Sequence, residues 1–389
     1  MKRVLSISLA LSIICILLPS FVFAADTVLV GVVLGLSGFN APASLRVERG
    51  VLMAAEEINA AGGILGKKIE TFTLDSKSDP PFSVSAMKKA VERNPFVIFG
   101  TNDSGSTIAN MSVLQEAGIP QFSSSEAPAI TQKGNLNIFR ASLNTELNLQ
   151  KLLKWITEVL KTQKMAIVYT NTEYGRGGRD AMVKLLTPKG VKIVADVVGD
   201  TGQTDFTGEL VRVKSSGADT LYVILIEEEA GRILPQIREM GLDRSMKIIG
   251  AVSVLTETAI KLAKESANGL QGQMDFSPVA PPFKPTADKY QKIYQETPDH
   301  NFFKGYISFQ IFNAAMKEIK VFDQQKLRDF LHNRTLCVKN HPGIRMDVHF
   351  DEKGDLDRES WLIKVENQKH VITGILDPLH PEWFGQCKK

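Results

Sequence analysis

The stretch FVIFGTNDSGSTIANMSVLQEAG, residues 96–118, holds the fold in miniature. Its apolar opening, Phe96 to Phe99, reads as a strand buried on both faces. Gly100 to Asp103 is a turn of small and polar residues. From Ser104 the apolar spacing becomes helical, and Gly118 supplies the left-handed residue on which helices commonly end. A strand, a short loop, a helix and a glycine make one unit of an α/β fold. The helix opens on hydroxyl residues. Its first N–H groups and its partial positive charge are a ready seat for an anion.

The unit recurs. Apolar runs lie at VLVGVVLG (28–35), KIETFTLD (68–75), MAIVYT (165–170), VKIVADVV (191–198), TLYVILI (220–226) and MKIIGAV (246–252). Helix-period stretches such as LRVERGVLMAAEEINAAGG (45–63) fall between them. Such alternation gives parallel sheets covered on both faces. Residues 28–122 and 165–252 each run through the unit several times, which reads as two Rossmann-like lobes. Three stretches look like crossings between them: 136–146, 269–278 and 350–365. The expected division is 26–141 with 274–349 for the first lobe, and 142–273 with 350–389 for the second. A multi-strand hinge would join them, with a ligand cleft at the C-terminal ends of the strands.

A chain of 389 residues is too long for one ordinary core, which agrees with two lobes. The net charge is +3, and no basic stripe with interleaved aromatics suggests nucleic acid as a partner. Residues 1–25 read as a secretory signal peptide: Lys2-Arg3, an apolar run, then Val22-Phe23-Ala24 before the cleavage point. An uncleaved membrane anchor is the alternative. Beyond that segment two cysteines remain, Cys337 and Cys387, either bridged in an oxidising compartment or left as free thiols.

Motifs for catalysis are missing. The turn Gly35-Leu-Ser-Gly38 lacks the dinucleotide spacing, and there is no P-loop, H-E-x-x-H or Gly-x-Ser-x-Gly. His300, His332, His341, His349, His370 and His380 show no metal-ligand spacing and read as surface or loop histidines. A protein that is not an enzyme and holds no metal or cofactor is expected.

Residues 31–80, beginning GVVLGLSGFNAPASLRVERG, resemble the opening of the leucine/isoleucine/valine-binding periplasmic proteins. These are type I solute-binding proteins of ABC transporters. The resemblance continues in one register through VIFGTNDSGSTIANMSVLQEAGIPQFSSSEAPAIT, FRAS, YTNTEYGRGG, DFTGELVRVKSSGAD and FDEKGD. It implies a periplasmic, monomeric protein of the type I fold that closes its lobes on a small, carboxylate-bearing solute and delivers it to an inner-membrane permease. It implies that Ser104, with Gly105 and Ser106, grips the carboxylate. Ser124, Ser125 and Glu126 would meet the amino-acid head, Tyr174 would close from the second lobe, and Phe39 would line the cleft.

One departure bears on the ligand. The family usually ends the strand near residue 250 in Gly-x-Glu, which holds the ligand's ammonium; here the residues are Gly250-Ala251-Val252-Ser253. Glu126 or one of Glu227, Glu228 and Glu229 would have to replace that acid. Otherwise the ligand carries no ammonium and is an aromatic or aliphatic acid or an amide. The resemblance thus implies capture of a branched-chain or other apolar amino acid or related carboxylate. A ligand-sensing subunit of the same fold is the alternative.

Overall fold

The computed structural model describes residues 27–388. The expected signal peptide, residues 1–25, lies outside them. In the first lobe, β1 (Thr27–Leu34), α1 (Ala41–Ala60), β2 (Lys68–Asp75), α2 (Pro80–Glu92), β3 (Val97–Gly100), α3 (Ser104–Ala117), β4 (Gln121–Ser123), α4 (Ala129–Gln132) and β5 (Ile138–Arg140) follow in turn. Their strands form one parallel sheet in the order β2-β1-β3-β4-β5. The order reverses at β1, where the strand ends of a doubly wound sheet leave a crevice.

The chain crosses over and continues as α5 (Thr145–Lys154), β6 (Lys164–Thr170), α6 (Glu173–Leu186), β7 (Lys192–Gly199), α7 (Thr207–Ser215), β8 (Thr220–Ile224), α8 (Glu227–Glu239), β9 (Lys247–Gly250), α9 (Glu257–Ala263) and β10 (Gln271–Met274). It then returns to the first lobe through α10 (Lys284–Tyr294), α11 (His300–Ile319) and α12 (Gln324–Leu331). A small antiparallel sheet follows, β11 (Arg334–Leu336), β12 (Val348–Phe350) and β13 (Leu356–Asp357). Last, β14 (Ser360–Glu366) and β15 (Lys369–Leu376) complete a second sheet, ordered β15-β14-β10-β9-β8-β6-β7. Two lobes of α/β architecture are therefore present.

The floor of the first lobe is aromatic. Phe99 stacks on Phe122 at 5.3 Å and on Phe309 of α11 at 4.8 Å between ring centroids. α11 packs on α1 through two glycines. A Cβ on Gly50 would stand 2.1 Å from Phe302 O, and one on Gly305 would stand 2.0 Å from Val47 O. Backbone therefore meets backbone, and only glycine fits. This crossing sets α11 deep enough for its first turn to reach the cleft.

The crossings bind one another. Leu143 N–H donates to Asp275 Oδ2 (2.9 Å), and Lys151 Nζ donates to Arg358 O (2.8 Å). Cys337 and Cys387 are bridged. That disulfide, with the Thr335 hydroxyl donating to Trp383 O at 2.9 Å, holds residues 381–387 against β11. The expected division gave 350–389 to the second lobe; β13 and this closing turn pack instead with β11 and β12. Among the described residues no helix is long and apolar enough to cross a membrane.

Candidate functional site

A cleft of about 420 Å³ opens between the lobes. Phe39, Ser104, Gly105, Ser124, Glu126, Tyr174 and Glu227 line it. Ser106, Ser125 and Val252 do not, and each has a physical reason.

Asp103 is the cap of α3, and its Oδ1 accepts the Ser106 N–H at 2.8 Å. The seat at this helix N-terminus is thus partly taken by the protein's own carboxylate. Ser106 turns inward, wholly buried. The N–H groups of Ser104 and Gly105 remain without a partner among the described residues. Ser104 Oγ accepts the Ala127 N–H at 3.1 Å, which joins the two loops expected to hold a ligand. Ser125 is spent beneath them: its hydroxyl meets Thr107 Oγ1 at 2.7 Å and Thr101 O at 3.0 Å. Val252 starts a 3₁₀ turn whose side chains sink into the core, so Ser253 is the residue presented to the cleft.

Glu126 lines the cleft with counter-charges of its own already in place. Its Oε1 accepts from Lys304 Nζ at 3.2 Å and lies 3.0 Å from His300 Nε2. Burial opposes its charge, yet Lys304 and His300 outweigh burial and hold the carboxyl down at about 2. Lys304 also donates to Ser124 O at 2.9 Å. The carbonyl of Ser124, a residue expected to meet the solute's head, therefore already has a donor.

Glu227, at the start of α8, is in the opposite condition. Oε1 accepts from Asn301 Nδ2 at 2.6 Å, while Oε2 is buried with no hydrogen-bond partner. The nearby Thr256 hydroxyl donates to Ser253 O at 3.1 Å and also lends the Glu227 charge some support. Burial, reinforced by Asp299, pushes the Glu227 carboxyl up to about 8 against the pull of Arg46 and Lys304. Asp103 Oδ2, on the first-lobe side of the cleft, is likewise buried without a partner, but on the second-lobe side Glu227 is the lining acid with an unanswered buried oxygen, and such a group favours a positive partner. Glu228 reaches out to Arg232 instead, and Glu229 caps its own helix through Ile226 N–H.

Tyr174, at the start of α6, hydrogen-bonds Ser253 Oγ at 2.9 Å, and Ser253 donates in turn to Leu225 O at 2.6 Å. The tyrosine is thereby fixed over the second-lobe wall. Phe39, Ala43, Pro80, Ile108, Ala109 and Ile226 supply apolar lining.

Sequence reasoning missed the first turn of α11. His300, Asn301 and Lys304 are buried and line the cleft. His300, His349 and His370 are buried rather than surface histidines. A signal for Lys304 existed: it is the lone charge in FFKGYISFQIFNAAM, a helix otherwise buried on every side. A buried lysine needs a counter-charge, and that requirement points to an acid facing it.

The model of the family described as periplasmic binding protein matches residues 27–370. An amino acid binding protein of Pseudomonas aeruginosa is 28% identical over 347 residues, spanning 87% of this chain and 90% of that one. The branched-chain amino acid transporter substrate binding protein LivJ of Streptococcus pneumoniae, solved in complex with isoleucine, superposes with a TM-score of 0.79 at 25% identity. That match covers 91% of this chain and 100% of LivJ. A solute binding protein of R. palustris in complex with benzoate is alike in fold, with a TM-score of 0.81 at 19% identity over 91% of this chain and 97% of that one. With two sheets, a lined cleft between them and a match along nearly the whole described chain, this protein belongs to the periplasmic binding protein family.

Proposed function

We propose that the chain is the solute-binding component of an ABC transporter and captures an apolar α-amino acid between its lobes. The observation that carries the ligand class is the pairing of two poles in one apolar cleft. On the first lobe the Ser104 and Gly105 N–H groups are free to receive a carboxylate. On the second, Glu227 keeps a buried, unpartnered oxygen suited to an ammonium. Relatives named for amino acids support the same class. Only a closed form touches the solute from both sides, so binding shifts the lobes toward closure.

In this reading no bond is made or broken. Residues 1–25 direct export and are removed, the mature chain acts as a monomer in the periplasm, and the closed form docks on an inner-membrane permease. A second reading has one observation behind it. A Glu227 carboxyl pushed above neutrality is uncharged before ligand arrives, and a neutral carboxyl accepts an aromatic or aliphatic acid that lacks an ammonium.

Isothermal calorimetry with leucine, isoleucine, valine, benzoate and their amides separates the readings. Binding of the amino acids in preference to benzoate is the expected result. Preference for benzoate would move the assignment to aromatic acids, and binding of the amides alone would remove the carboxylate seat.

A further inference from the structure

Two of the sequence motifs, FRAS and FDEKGD, lie outside the cleft lining, yet the structure joins them. Arg140 ends β5 and is fully buried. Its Nε donates to Asp355 Oδ1 at 2.7 Å. Nη1 donates to Ser125 O at 2.8 Å and Nη2 to Ala127 O at 2.7 Å. Asp355 in turn accepts from the Thr131 hydroxyl at 2.7 Å. We propose that Arg140, aligned by Asp355, is a positioning residue that fixes which groups of the 124–128 loop are turned toward the solute; this rests on the reading of that loop as a solute contact.

The loop's polar groups alternate. The carbonyls of Ser125 and Ala127 point at the guanidinium. The intervening groups point elsewhere: Ser124 O to Lys304, Glu126 O to the Thr145 hydroxyl at 2.8 Å, and the Ala127 N–H to Ser104 Oγ. A slip of one residue would exchange the two sets, as it does in any extended segment. Fixing the phase requires a side chain that binds two carbonyls two residues apart and holds a third partner on its other edge. A guanidinium has that rigid fork, and an ammonium does not.

Asp355 is delivered with equal care. The 351–355 turn is closed by Asp351, whose Oδ1 accepts the N–H groups of Lys353 (2.8 Å) and Asp355 (2.9 Å). Arg140 N–H donates to Gly354 O at 3.0 Å. Gly354 has φ +84°, and a Cβ there would stand 2.2 Å from Ile138 O, so the turn lies directly on β5. Buried ion pairs seldom stabilise more than apolar residues of the same volume would. Keeping one here is better explained by loop geometry than by stability.

The test uses the full mature chain without ligand, in three forms: Arg140→Met, Arg140→Lys, and the double variant Arg140→Met/Asp355→Leu, which leaves no unpaired acid. Amide exchange at Ala127 is measured against Val30 and Val32 of β1, together with Tm and affinity for L-isoleucine. The double variant takes the guanidinium donors from Ser125 O and Ala127 O and is expected to stay folded with a Tm a few degrees lower, while Ala127 exchanges at least about tenfold faster and the β1 amides change far less. Isoleucine affinity should fall by about tenfold or more in step with that exchange. Arg140→Lys should lie between, since it keeps the charge and loses the fork. A stable double variant with wild-type exchange at Ala127 would overturn the proposal, as would uniformly faster exchange across the lobe. If the wild type ignores isoleucine, the amino-acid reading fails, and exchange at Ala127 still decides the role of Arg140.

Discussion

Glu227 gives the sharpest prediction, because its state must change when an ammonium arrives. Oε2 has no partner, and burial with Asp299 nearby holds the carboxyl near 8. At pH 6, two units lower, only about one protein in a hundred carries the ionised form an ammonium requires. Displacing that proton costs roughly 3 kcal/mol, each pH unit being worth about 1.4 kcal/mol. Affinity for isoleucine should therefore rise about tenfold per unit between pH 6 and pH 7.5 and level off above 8. Calorimetry at pH 6.5 in two buffers of different ionisation enthalpy should record the release of nearly one proton. In Glu227→Gln both signatures should vanish, and affinity at pH 8 should fall by about 10- to 150-fold, the worth of one charged hydrogen bond of roughly 1.5–3 kcal/mol. If isoleucine binds tightly with neither pH dependence nor proton release, the ammonium does not rest on Glu227.

Other consequences concern stability. Glu126 has its carboxyl held down at about 2 by Lys304 and His300, so its contribution is complete above the ordinary carboxylate range and is lost as pH falls through about 2. An acid titration followed by circular dichroism should show that loss, roughly 3 kcal/mol, and the Glu126→Gln/Lys304→Met pair should not. Gly305→Ala would press a methyl onto Val47 O, 2.0 Å away. It should cost about 3 kcal/mol or more and lower Tm by several degrees, whereas Gly208→Ala, with open space around it, should not. Reducing the Cys337–Cys387 bridge, which spans 50 residues, should lower stability by roughly 4 kcal/mol on the loop-entropy model, read as a shift in the urea midpoint.

Much of the architecture was legible because most parallel strands of the two large sheets are apolar runs that end in turn residues; β10, QGQM, is not. KIETFTLD is β2 to the residue, and MAIVYT lies within β6. The short strands β11 to β13 were not legible, since two or three residues carry no period. At the site, the Ser104 loop and Tyr174 could be placed from the resemblance, while the charge network could not. Whether Glu126 is free depends on Lys304, 178 residues later, and their meeting is set by the glycine crossing of α1 and α11. The same applies to Ser106 and Ser125. Their hydroxyl side chains suit a ligand, and only the backbone path turns them inward.

The central claim is that a small zwitterion lies between the two sheets, its negative end on the Ser104–Gly105 amides and its positive end on Glu227. A crystal structure of the mature protein grown with isoleucine tests it most directly. The account predicts isoleucine within hydrogen-bond distance of Ser104 N, Gly105 N and Glu227 Oε2, with Tyr174 against it. Isoleucine bound outside this cleft, or inside it with the ammonium turned away from Glu227, would contradict the account.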